Sequence, residues 1–195
     1  MKQGKVTQEV IEDLRTIFGP DDVLLDKESL AKYARDESSV TPHYPDVVVR
    51  PESTREVAET LKLANREGVP VIVRGGGTGL CGGAVPIYGG IILYFEKMNK
   101  ILEVDEENLM VTLEPGVLIM DLHAEMEKHG FLYPPDPGQK SSTLGGNINT
   151  NAGGMRAVKY GVTRDFVQAL EVVLPTGDVI QVGGKTVKSS SGYSI

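Results

Sequence analysis

Two glycine-rich tracts stand out as binding elements: residues 74–84, RGGGTGLCGGA, and residues 134–161, PPDPGQKSSTLGGNINTNAGGMRAVKYG. Glycine loses more conformational freedom on folding than any other residue, so two such stretches need a purpose. A bare main chain can approach a phosphate closely and offer it N–H groups. In the first tract Gly75, Gly76, Gly77 and Gly79 are free to take positive φ, which turns successive N–H groups inward as an anion nest, and Thr78 adds a hydroxyl donor. Hydrogen bonds to a charged group are worth roughly 1.5–3 kcal/mol each, so a handful holds a pyrophosphate without any lysine. Arg74 ends the preceding strand; it either helps neutralise that charge or is an ordinary strand-end arginine. The second tract mixes bare backbone with short amides and hydroxyls: Thr143, Gly145, Gly146, Asn147, Asn149, Thr150 and Asn151. Such a surface can lie flat against a heterocycle and pair with its ring nitrogens and carbonyls. The tracts read as two halves of one nucleotide-cofactor cradle.

Other candidates fall away. Gly77-x-Gly79-x-x-Gly82 matches the Rossmann dinucleotide fingerprint, but that motif needs a helix opening at its third glycine. The residues that follow, Gly83-Ala84-Val85-Pro86-Ile87-Tyr88-Gly89-Gly90, have no helical pattern. Gly184-Lys185-Thr186 has the ending of a phosphate loop, but Val179 stands where its first glycine belongs. His123 and His129 lie on different faces of one helix and form no metal pair. His43 is expected at the surface of a proline loop, and Cys81 as a small packed residue with nothing nearby to lower its pKa. No residue qualifies as a general base, and no set of residues as a metal site.

The elements that must position the tracts are legible from periodicity. Apolar residues at helical spacing over 6–18, stopped by Gly19-Pro20, predict an amphipathic helix. A loop over 36–46 leads into a short strand, 47–50. Ser53-Thr54-Arg55-Glu56 spells a capping box, and the helix it opens ends at Gly68. Residues 69–73 are expected as a buried strand running straight into the first tract. Strand character follows at 91–95, 101–104 and 110–113, then a helix over 117–129, the second tract, and a hairpin of 167–174 and 179–182 across Pro175-Thr176-Gly177-Asp178. This order predicts a mixed α+β fold, not a regular βαβα winding.

The 195 residues suffice for a real core, and 40% hydrophobic with 24% charged residues is a globular mixture. A net charge of −7 without a Lys/Arg block argues against nucleic acid as a partner. One cysteine excludes an internal disulfide and fits a reducing compartment. No apolar run is long enough for a signal peptide or a membrane span, so a cytoplasmic location is expected.

RGGGTGLCGGA, PPDPGQKSSTLGGNINTNAGG, KYGVTRD and VVLPTGDVI, in that order, resemble the FAD-binding domain of the vanillyl-alcohol oxidase/p-cresol methylhydroxylase type. PESTREVAETLKLANREGVPVIVRGGG belongs to the same pattern. Within that type the sequence is most similar to the glycolate oxidase flavin subunit and the D-lactate and D-2-hydroxyglutarate dehydrogenases, over about residues 45–195. The resemblance implies a two-lobed α+β FAD-binding domain over 46–195, with lobes of about 46–105 and 106–195, after an N-terminal helical segment, 1–45. It implies contacts to FAD from Gly75, Gly76, Gly77, Thr78, Gly79, Leu80, Gly82, Pro137, Gly138, Thr143, Gly145, Gly146, Asn147, Asn151, Ala152, Gly153 and Gly161. The first tract takes the pyrophosphate, and the second runs along the ribityl chain and isoalloxazine. Thr78 stands where relatives with histidine-linked flavin carry that histidine, so the implied FAD is non-covalent.

Cys81 and Gln139 replace the usual serine, Met155 the usual proline, and Gly192-Tyr193-Ser194 the commoner Gly-Tyr-Asp. The implied reaction oxidises a 2-hydroxy acid to a 2-oxo acid by hydride transfer to flavin N5. Electrons then pass to an acceptor such as an iron-sulfur subunit, an electron-transfer flavoprotein, a quinone or a cytochrome. The substrate clamp, catalytic histidine and metal ligands of the family belong to a cap domain. The chain is therefore expected to be the N-terminal portion of a longer enzyme, inactive alone. The open alternatives are an oxidase of another substrate class in the same superfamily and a binding-only fragment.

Overall fold

The computed structural model describes residues 4–186. The Gly192-Tyr193-Ser194 departure lies outside the described residues. Helix α1 (Gln8–Phe18) is capped by Thr7, whose hydroxyl accepts from the Val10 N–H, and is stopped by Gly19. A short 3-10 turn leads to β1 (Val23–Leu24) and α2 (Lys27–Ala31). The sequence reading missed α2, a helix opened by the Asp26 carboxylate accepting from the Ser29 N–H at 2.8 Å.

Strand β2 (Val47–Val49) precedes α3 (Thr54–Glu67), which begins at the expected Ser53 cap and ends at Gly68 in the left-handed conformation. The Glu56 carboxylate reaches back one residue further than a regular capping box, to the Glu52 N–H at 2.6 Å. Strand β3 (Val71–Arg74) starts two residues later than expected. It is also an edge strand with Val73 53% exposed, not a buried one. Strand β4 (Ile91–Tyr94) completes a sheet of order β1-β2-β4-β3, in which β2, β3 and β4 run parallel and β1 antiparallel.

Both faces of that sheet are covered, as parallel pairing requires. Val47, Val49, Ile91 and Leu93 face α1 and α3 through Val10, Leu14, Val57, Leu63 and Ala64. Val48 and Ile92 face the other way, against Leu30 and Tyr33. The period-2 alternation of two apolar triplets thus builds two cores.

The second layer is a hairpin of β5 (Ile101–Asp105) and β6 (Met110–Leu113), with α4 (Ile119–Lys128). Ile101, Val104, Val111 and Leu113 pack on Val117, Ile119, Leu122 and Met126. Helix α4 starts later than its periodicity because the Val117 carbonyl and the Ile119 N–H are committed to the second tract, at Leu144 N–H and Ser142 O. That tract is not irregular throughout. It contains α5 (Leu144–Thr150) and α6 (Ala157–Tyr160). Strands β7 (Ala169–Val173) and β8 (Val179–Gly183) form the expected hairpin. Val173 packs on the first core, and the Asn65 side chain donates to the Pro175 carbonyl. No helix among the described residues is long and apolar enough to cross a membrane.

Candidate functional site

The two glycine tracts line one cleft of about 2220 Å³, open between the four-stranded sheet and the second layer. Strand β3 delivers the first tract to its rim, and α4 with β6 supports the second. The tracts also touch. A Cβ on Gly75 would collide with Thr143 Oγ1, and one on Gly76 would sit 2.6 Å from the Ser141 carbonyl. The sequence explanation for these two glycines is therefore corrected. Of the four expected to supply positive φ, only Gly77 does, at +68°; Gly82 adds a second left-handed position at +77°. Gly75 and Gly76 are glycines because a neighbouring chain occupies the space of a side chain.

The first tract still leaves main-chain donors free. The main-chain N–H groups from Gly75 to Gly82 donate to no acceptor among the described residues. No helix follows them before β4, which removes the Rossmann alternative. In contrast, α5 offers no free donors at its start. The Leu144, Gly145, Gly146 and Asn147 N–H groups are used by Val117 O, Pro115 O, Thr143 Oγ1 and Thr143 O. The start of α5 is therefore no anion site, unlike the unpaired run of the first tract.

Gly75, Gly76, Gly77, Thr78, Gly79, Leu80, Pro137, Thr143, Gly145, Gly146, Asn147 and Ala152 all stand on the cleft wall. Gly82, Gly138, Asn151, Gly153 and Gly161 stand off it and shape the chain around it. Gly82 turns under Val85, Gly138 has φ +84° in a tight bend after Asp136, and Asn151 closes α5 in the left-handed conformation. Gly153 packs against Val162, and Gly161, at φ +91°, closes α6 beside Asp165.

Among the polar wall residues Asn147 is one of the sequence candidates, whereas Ser142, Asp36 and Tyr133 carry no local sequence signal. Ser142 and Asn147 are 6% and 5% exposed, and their Oγ and Nδ2 atoms have no partner. Buried polar groups are almost always paired, so orphaned atoms on a cleft wall point to a ligand that pairs them. Asp36 joins from the proline loop; its Oδ2 is also buried and unpartnered. Burial pushes the Asp36 carboxyl up, but hydrogen bonds from Ser38 outweigh it and hold the group below the usual value. Tyr133 lies against Phe166 with ring centroids 5.9 Å apart, and burial pushes its phenol up to about 12. Its hydroxyl therefore stays protonated near neutral pH and is no base.

The remaining candidates take structural or surface places. His123 Nε2 lies 3.1 Å from the Pro135 carbonyl, pinning the entry of the second tract. His129 is a cap beyond α4, between Glu106 and Glu125. His43 is exposed. Cys81 is exposed on the cleft rim, which corrects the expectation that it packs. Lys185 pairs with Glu103 at 2.7 Å and serves no phosphate loop. Among the described residues no group of three or more His, Cys, Asp or Glu side chains could hold a metal ion.

A mixed α+β scaffold outside the Rossmann class thus gathers unpaired N–H groups and orphaned amide and hydroxyl atoms in one cleft, the donors a dinucleotide cofactor requires. The chain belongs to the FAD binding domain family, whose model matches residues 45–183. It is 50% identical over 193 residues to the D-lactate dehydrogenase of Anaerostipes hadrus, covering 98% of this chain and 40% of that protein. It is 45% identical over 191 residues to the glycolate oxidase subunit GlcD of Bacillus subtilis strain 168, covering 97% and 41%. A p-cresol methylhydroxylase solved with substrate bound superposes with a TM-score of 0.79 at 26% identity, over 94% of this chain and 38% of that one. The chain therefore spans about 40% of the length of the curated relatives it matches. FAD is the cofactor of the fold, and the unpaired N–H run, Ser142 Oγ and Asn147 Nδ2 fit it.

Proposed function

We propose that this chain is the FAD-binding portion of a flavin-dependent dehydrogenase that oxidises a small 2-hydroxy acid, of the D-lactate or glycolate type, to its 2-oxo acid. The flavin supplies the redox chemistry by accepting a hydride at N5, and the protein supplies binding and orientation. The first tract takes the diphosphate on its N–H groups; the wall of Thr143, Gly146 and Asn147 holds the rest of the cofactor. Binding is non-covalent, since Thr78 offers no histidyl nitrogen. The functional unit is residues 46–195, in lobes of about 46–105 and 106–195, preceded by the 1–45 segment. Reduced flavin passes its electrons to an iron-sulfur subunit, an electron-transfer flavoprotein, a quinone or a cytochrome, and the protein works in the cytoplasm. We assign no described side chain the role of base.

The observation that carries this reading is the unpaired N–H run of Gly75–Cys81 sharing one cleft with orphaned Asn147 Nδ2. An oxidase of phenolic substrates draws support from the likeness to p-cresol methylhydroxylase. At 26% identity that likeness is much weaker than the 50% and 45% shared with the hydroxy-acid enzymes. The test is acid precipitation of the purified protein, which should release FAD into the supernatant. Anaerobic mixing of the flavin-loaded protein, in its natural full length, with D-lactate, glycolate or D-2-hydroxyglutarate should then bleach the flavin. Colour held in the pellet refutes non-covalent binding, and no bleaching by any of the three refutes the substrate class.

A further inference from the structure

Arg74 does not point into solvent from the end of β3. It is 8% exposed and turns back beneath the tract it precedes. Its Nη1 donates to the Arg35 carbonyl at 3.0 Å and the Ala84 carbonyl at 3.5 Å, and its Nη2 to the Lys32 carbonyl at 3.4 Å. The guanidinium also lies over the Tyr33 ring, 5.7 Å from its centroid. A Cβ on Gly77 would collide with the guanidinium, so the left-handed turn at Gly77 is wrapped around it. One planar group therefore ties three stretches together: residues 32–35, the turn at Gly77, and Ala84 where the tract ends. Among the described residues no carboxylate lies within ion-pair distance of it.

We propose that Arg74 is the positioning residue of the anion cradle: its buried guanidinium, held by three main-chain carbonyls from both flanks, fixes the shape of Gly75–Gly79 and places positive charge behind it. This rests on the reading that the first tract takes the FAD diphosphate. A planar fork can serve carbonyls lying in different directions, whereas an ammonium is a single compact point of charge. The carbonyl partners carry partial negative charge only, and the Asp36 carboxylate attracts the guanidinium without reaching ion-pair distance, so positive charge remains to meet an anion in front of the tract. Asp36 runs parallel to this design. It accepts from the Ser38 N–H at 2.9 Å, and the Glu37 N–H donates to the Gly79 carbonyl at 3.1 Å, which clips the loop after Arg35 onto the same tract. Residues 32–38 lie before the family match at residue 45, yet they complete the cradle.

Three variants test this: Arg74→Lys, Arg74→Met and Arg74→Ala. Amide hydrogen exchange is followed without FAD, and FAD affinity is measured by flavin fluorescence titration. Arg74→Lys should keep the fold, raise exchange selectively in residues 75–84 and 32–38, and weaken FAD by about tenfold or more, the scale of a lost charge-assisted hydrogen bond. Arg74→Met, which fills the space without charge, should weaken it further. Millimolar methylguanidinium should restore part of the affinity of Arg74→Ala, where equal sodium chloride does not. Wild-type exchange and affinity in Arg74→Lys would overturn the proposal, as would faster exchange spread evenly over the chain in every variant. Failure of the wild-type protein to bind FAD would sink the functional reading instead, while the exchange pattern would still decide whether Arg74 shapes the tract.

Discussion

Gly75 and Thr143, far apart in sequence, meet where the two glycine tracts cross, with no room for a Cβ between the Gly75 backbone and the Thr143 hydroxyl. That hydroxyl also accepts from the Gly146 N–H as the cap of α5. Gly75→Ala should therefore destabilise the fold by about 1–3 kcal/mol through overpacking. Thr143→Ala should cost about 1 kcal/mol by loss of the cap. Since the second change removes the atom the first collides with, the double variant should be more stable than the sum of the two. Urea unfolding of the four proteins gives the coupling, and strict additivity would show that the tracts do not touch there.

Gly79 behaves differently. A Cβ built on it meets only Asp36 Oδ2, at 3.8 Å, and its φ is not left-handed. Gly79→Ala should leave unfolding within about 0.5 kcal/mol of wild type, as harmless surface substitutions do. The added methyl nevertheless enters the cleft, so FAD affinity should fall. Gly77→Val, strained at φ +68° and set against Arg74, should lose both stability and FAD. A flavin titration of Gly79→Ala equal to wild type would move the diphosphate away from this residue.

Asn147 holds its Nδ2 buried and unpartnered. An apolar replacement of similar shape relieves an unpaired donor, so Asn147→Leu should be neutral or mildly stabilising without FAD. In the presence of FAD the same variant should gain less thermal stabilisation than wild type, because linkage scales with affinity. Equal FAD-induced shifts in melting temperature for the two proteins would remove Asn147 from the cofactor wall.

His129 offers a pH signature away from the cleft. Its Nδ1 lies 2.7 Å from Glu106 and its Nε2 3.4 Å from Glu125, and the Glu106 hydrogen bond, ahead of the weaker pull of Glu125, raises its pKa above 6.5. A raised folded-state value means that its contribution to stability is complete below the unfolded value. That contribution is lost as pH rises through the folded one. An NMR titration should place His129 above 6.5, and Glu106→Gln should bring it back down. An unmoved value in that variant would detach the pair.

Much of the frame was legible because its signals are local. Ser53 and Gly68 bound α3 by chemistry that acts within one turn of the chain. Pro175-Thr176-Gly177-Asp178 turns the β7–β8 hairpin in the same way. Helix α2 and the interior of the second tract were missed because their helices are too short for periodicity to register. Helix α5 carries Gly145 and Gly146 only because Thr143 caps it and Pro115 presses against Gly145.

Local signals in the chain were enough to show that two bare stretches of main chain follow β3 and α4 and that no Rossmann helix opens after the first. Composition and short-range geometry are enough for that, since a glycine's lack of a side chain travels with the residue. Long-range packing settled why particular glycines are needed, where Arg74 points, and that Cys81 faces outward. Those depend on what lies opposite. The Thr143 hydroxyl beside Gly75, the Ser141 carbonyl beside Gly76 and the guanidinium beneath Gly77 are all brought there by packing, and excluded volume between distant segments leaves no periodicity to read.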